Sequence, residues 1–150
     1  QGVVNTVMSL DLVTMRYTIL APMITVRAYH ATAVLDGKLF VMGGHNGGYG
    51  SLSNVECLDL ETGQWSDVAP MLTPRSYHGA AALGGTIYVA GGDPVDTAGT
   101  LVESFDAAVD SCGSHEHTST KPWCGVSPGQ ALRRWWIQPP GSSPEQRGML

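Results

Sequence analysis

Residues 27–44 read RAYHATAVLDGKLFVMGG, and residues 75–92 read RSYHGAAALGGTIYVAGG. At a shift of 48 residues, Arg27 falls on Arg75, Tyr29 on Tyr77, His30 on His78, Leu35 on Leu83, Gly37 on Gly85, Leu39 on Ile87, Val41 on Val89 and Gly43-Gly44 on Gly91-Gly92. A fixed-period repeat decides an architecture before single residues do, because each unit buries its apolar faces only against its neighbours. Working backward, the same shift places Val7 on Val55, Leu10 on Leu58, Asp11 on Asp59, Thr14 on Thr62 and Ala21-Pro22-Met23 on Ala69-Pro70-Met71, with Tyr17 where Trp65 stands. Working forward, Val102, Glu103 and Asp106 match Val55, Glu56 and Asp59 at a shift of 47. The chain thus divides into the outer strands of a truncated unit (1–26), a complete unit (27–74), an incomplete unit (75–112) and a tail (113–150).

Within the complete unit every local signal is strand. AYHATAVL and KLFVM flank Asp36-Gly37, a pair that tolerates the positive φ of a type I′ hairpin turn, and the second copy uses Gly84-Gly85 at the same place. KLFVM and TIYVA are nearly continuous apolar runs, as for strands covered on both faces, whereas NVECLDL alternates before ETG and QWSDV. Four strands per unit follow. No 3.6-residue apolar period persists in residues 1–112, so an all-β class is expected.

Composition narrows the function. The chain has 150 residues, 43% hydrophobic and 14% charged, and its net charge is -5. Residues 1–112 carry four basic against eleven acidic side chains, a net of -7, which makes nucleic acid a poor partner. No apolar run approaches the length of a membrane-spanning helix, and no membrane partner is expected. Of the three cysteines, Cys57 lies in an apolar run and reads as a small buried hydrophobe. Cysteines that cannot all pair point to a reducing compartment, and a cytoplasmic location is expected. The chain begins at Gln1, and its start reads as missing the true N-terminus.

These residues resemble the kelch repeat family. The resemblance rests on the arginine-led strand, the glycine turn, the aromatic strand ending in Gly-Gly, the VE-containing strand at 55–56 and 102–103, then Thr62-Gly63 and Trp65. It implies four-stranded antiparallel blades of a β-propeller, of which this chain holds about two to three, not closed, followed by an irregular C-terminal tail. It also implies that Trp65 is buried. A piece with uncovered blade faces is expected to be marginally stable or to self-associate.

The tail breaks the pattern. Cys112 stands where the family's Trp would open a last strand, and five of nine prolines fall in residues 113–150, the composition of a linker. Cys112, His115, His117 and Cys124 are zinc-ligand types at a spacing that no recurring structural site uses, so no metal is expected. Arg133-Arg134-Trp135-Trp136 mixes cationic and aromatic groups without helical context and reads as solvated tail.

No catalytic motif survives in the body: there is no G-x-S-x-G, H-E-x-x-H or P-loop, and the recurring His30 and His78 read as packing. A non-enzymatic protein without cofactor is expected, against a galactose-oxidase-like propeller enzyme that would need copper ligands. The resemblance implies a protein-interaction module, a substrate-recognition adaptor of a cullin-dependent ubiquitin ligase that recruits the cullin through an upstream BTB domain. An actin-associated or general scaffold is the alternative. Family practice places partner contacts at the blade link and after Gly-Gly, which here gives Arg27, Ala28, Arg75 and Ser76 with His45 and Asp93, and Tyr29, Asn46, Tyr49 and Tyr77 are expected to join them in an aromatic, hydrogen-bonding patch. Arginines on such a rim suit an acidic or phosphorylated peptide. The same arginines, recurring in register, also suit a brace for the blade link.

Overall fold

The computed structural model describes residues 2–48, 50–94, 101–106 and 123–126. Among the described residues all ten elements are strands: β1 (Val7–Asp11), β2 (Arg16–Leu20), β3 (Ala31–Leu35), β4 (Lys38–Met42), β5 (Val55–Asp59), β6 (Trp65–Val68), β7 (Gly79–Leu83), β8 (Thr86–Ala90), β9 (Val102–Asp106) and β10 (Trp123–Val126). They form a two-stranded sheet, β1-β2, and two four-stranded sheets, β3-β4-β5-β6 and β7-β8-β9-β10, with every pair antiparallel. Blade A is the sheet β3–β6 and blade B the sheet β7–β10. The all-β, unclosed partial propeller expected from the repeat is what the chain adopts.

The hairpin turns follow the sequence. Asp36 and Gly37 have φ of 49° and 74°, and Gly84 and Gly85 have 59° and 79°, the mirror-image conformation whose twist matches the flanking strands. Where β5 ends, Asp59 Oδ1 accepts the N–H groups of Glu61 (3.0 Å) and Thr62 (2.8 Å). Asp11 does the same for Val13 and Thr14 between β1 and β2. These backbone donors stabilise the ionised carboxylates and hold both below their ordinary range. The recurring aspartates are turn-makers.

The core lies between the blades. Blade A contributes Ala33, Phe40, Met42, Val55 and Cys57, blade B contributes Ile87, Val89 and Phe105, and Met71 of the connecting link plugs into the same cluster. Phe40 and Phe105 meet across the interface at 5.5 Å with their rings tilted by 58°. Cys57 is completely buried there, in the apolar setting its sequence neighbours predict. Val41 and Leu58, on the other face of blade A, are buried as well. On blade B, the face turned away from the core leaves Leu83 exposed.

Two expectations need correction. Trp65 is only half-buried: its indole lies at the blade edge and its Nε1–H donates to Ala21 O at 2.8 Å, so it pins the preceding link and does not fill the core. The expected boundary after residue 112 also cuts through blade B, whose fourth strand is Trp123–Val126. In register, Trp123 stands opposite Phe105 as Trp65 stands opposite Leu58, and Val126 opposite Val102 as Val68 opposite Val55. The edge strand WCGV therefore takes the place of WSDV, after a longer connection. Cys112, His115, His117 and residues 133–136 lie outside the described residues, and of Cys124 only its place in β10 is described.

Candidate functional site

Each blade link enters its blade through an arginine. Arg27 is completely buried; its Nη2 donates to Glu56 Oε1 at 2.5 Å, and its Nη1 donates to Gly43 O at 2.6 Å and Asn54 O at 3.3 Å. Glu56 also accepts the backbone N–H groups of Ile24 (2.8 Å) and Thr25 (3.0 Å). The second blade repeats the arrangement. Arg75 donates to Glu103 at 2.5 Å and to the carbonyls of Gly91 and Leu101, while Glu103 takes the N–H groups of Leu72 (2.7 Å) and Thr73 (3.1 Å). One buried ion pair thus ties three segments: the link, the third strand and the Gly-Gly corner.

Arg27 and Arg75, expected as partner contacts, are therefore internal braces. Both are 0% exposed and neutralised by glutamates, so they offer no anion site, and the basis for an acidic ligand falls away. Glu56 and Glu103 recur with the arginines in sequence, as a buried charge pair must, although recurrence alone fits either role.

The double glycines make the next contact. A Cβ on Gly43 would lie 2.5 Å from Arg75 O and 2.8 Å from His78 Cε1, so the corner of blade A rests directly on the link into blade B. Gly44 N–H donates to Arg75 O at 2.9 Å. His78 packs beneath this corner, 8% exposed, and its imidazole is pushed down to about 4 by burial first and by the Arg75 charge second. His30, in the equivalent place, is lowered for the same reasons. Both histidines are packing residues.

The backbone that follows the braces joins the two loop sets. Ala28 pairs with His45 and Ser76 with Asp93 as isolated antiparallel bridges, so the residue after each link arginine meets the residue after each Gly-Gly. Beyond them, Tyr77 N–H donates to Tyr29 O at 2.9 Å across the two blades, and the tyrosine rings stack with centroids 4.1 Å apart and planes 25° apart. Both tyrosines hold a left-handed backbone, φ 57° and 55°, which costs a bulky residue of the order of 1–2 kcal/mol each. They stay exposed nonetheless, Tyr29 at 37% and Tyr77 at 63%.

The other expected contacts surround this ridge unequally. Asp93 is exposed beside it. His45 Nδ1 accepts Gly47 N–H and Asn46 Oδ1 accepts Gly48 N–H, so both side chains shape their own loop. Ser76 is 2% exposed, its hydroxyl 3.0 Å from Ser51 Oγ, which also donates to Asp93 O. Ser76 is a support for the ridge, as is Ser51, which no repeat signal singles out. Tyr49 lies outside the described residues. Among the described residues, no three His, Cys, Asp or Glu side chains come together as a metal site.

No curated protein matches the chain. Residues 27–72 and 74–93 match the family model for the Kelch motif, and the matched stretches contain both brace arginines, both tyrosines and both double glycines. Residues 27–93 accordingly carry kelch motifs, and kelch repeats generally mediate protein–protein binding.

Proposed function

We propose that this chain recognises a protein partner through the Tyr29–Tyr77 ridge, as part of a cytoplasmic substrate adaptor for a cullin-dependent ubiquitin ligase. The observation that carries the recognition reading is the pair of exposed, stacked tyrosines held in a costly backbone conformation at the junction of two braced blades. Tyrosine is a common interface anchor because it offers a large rigid face with little conformational entropy to lose. Strain retained at solvent-exposed bulky residues is a mark of a recognition surface. The ligase assignment rests on the resemblance of the blades to such adaptors, and the cysteine usage supports the cytoplasm.

The reading is non-enzymatic. The charged side chains that recur in the repeat are engaged in braces and turns: Arg27 with Glu56, Arg75 with Glu103, and Asp11 and Asp59 with backbone N–H groups. The ligase assignment is tested by co-purifying the protein expressed from its complete reading frame with a cullin scaffold. Stoichiometric cullin is expected; a partner set without cullin removes the ligase role and leaves a general scaffold.

A further inference from the structure

The ridge carries the opposite charge pattern to the one its arginines suggest. Arg27 and Arg75 spend their guanidinium groups on Glu56 and Glu103 inside the blades. Lys38 opens β4 at the opposite end of that strand from the Gly43-Gly44 corner. Beside Tyr77 stands the exposed Asp93, whose charge acts on the Tyr77 phenol. The Asp93 backbone is fixed by two hydrogen bonds with Ser76, the residue before Tyr77, and Ser51 holds its carbonyl.

The tyrosine rings close their inner faces on each other at 4.1 Å, which leaves the outer face of Tyr77 open. An aromatic face is the negative end of a quadrupole and attracts a cation placed within about 6 Å of its centroid. The phenol of Tyr77 is pushed above its ordinary value, chiefly by its hydrogen bond with Tyr29, with the Asp93 charge adding to the shift. That carboxylate therefore acts on the same side chain whose ring would carry the cation. A guanidinium can lie flat on a phenol ring and turn its edge toward a neighbouring carboxylate, a geometry an ammonium matches only as a point charge. The -7 net charge of residues 1–112 favours approach of a basic segment.

We propose that the outer face of Tyr77, backed by Tyr29 and flanked by the Asp93 carboxylate, is a subsite for an arginine side chain of the partner, an assignment that rests on the recognition reading above. The test is selection of a displayed library of random linear dodecapeptides on the complete chain, followed by affinity measurement of the enriched peptides. Enrichment of arginine at a fixed position is expected. Replacing that arginine with citrulline, which keeps the shape and removes the charge, weakens binding about tenfold, and Asp93→Asn reduces the wild-type preference for arginine over citrulline. The citrulline arm leaves the protein untouched, so its result does not depend on how a variant folds. Enrichment of acidic or uncharged peptides, or equal binding of arginine and citrulline forms, overturns the subsite while the recognition reading stands. A chain that captures no peptide overturns both.

Discussion

Replacing Glu56 with alanine removes the carboxylate on which the blade A link converges. The change deletes a 2.5 Å ion pair with a completely buried arginine and the acceptor for the N–H groups of Ile24 and Thr25. Breaking one side of a buried pair costs about 3–5 kcal/mol, because the remaining charge keeps its desolvation penalty without compensation. Each orphaned N–H adds about 1 kcal/mol or more, reduced where water enters. The expected loss is therefore about 4–6 kcal/mol, comparable with the whole stability of a small domain. Urea unfolding followed by far-UV circular dichroism measures it. Glu56→Gln keeps an acceptor for the link and should lose only about half as much. The double variant Arg27→Met, Glu56→Met removes both charges and should recover a large part of the loss, since apolar replacement of a buried pair is often neutral. A loss below about 1 kcal/mol in Glu56→Ala, or a double variant no better than the single one, refutes the brace as the organising contact of the link.

Three further outcomes follow from local geometry. His78 is held neutral with its folded value near 4 against 6.5 unfolded. Stability from this group is thus full above about pH 6.5 and is lost as pH falls toward 4, by at most about 3 kcal/mol and about 2 after solvent screening; His78→Phe should flatten that part of the urea midpoint against pH. Gly43→Ala drives a Cβ into Arg75 O at 2.5 Å, whereas the same change at Gly91 meets nothing within 4 Å. Both glycines have positive φ, so the difference in their unfolding free energies, expected at about 2 kcal/mol or more, isolates the clash between blades. Met15 has φ 53° where the equivalent Gly63 has 70°, and Met15 is 65% exposed, so Met15→Gly should raise stability by about 0.5–1 kcal/mol in the same assay.

Much of the fold was legible because period and turn chemistry agreed. Asp36-Gly37 and Gly84-Gly85 mark the same hairpin in two copies, and the strands on either side carry matching apolar runs. The fourth strand of blade B was not legible. Five residues separate β5 from β6, but sixteen separate β9 from β10, so a fixed shift loses WCGV although it pairs in the register of WSDV. Within the site, the two roles open to the arginines produce the same recurrence in sequence. Burial decides between them, and burial depends on where Glu56 and Glu103 arrive from about 29 residues away in the chain. The tyrosines were in the expected set, but their stacking arises from the packing of adjacent blades, which no single repeat encodes.

The division of labour between buried arginines and exposed tyrosines is tested most directly by the affinity of Tyr77→Ala for a peptide selected on the wild-type chain, with the urea midpoint recorded on the same sample. At 63% exposure the Tyr77 ring gives the fold little, so binding should weaken at least tenfold while the midpoint holds steady. Unchanged binding with a lowered midpoint would contradict the account, making the ridge a structural contact and placing recognition elsewhere on the chain.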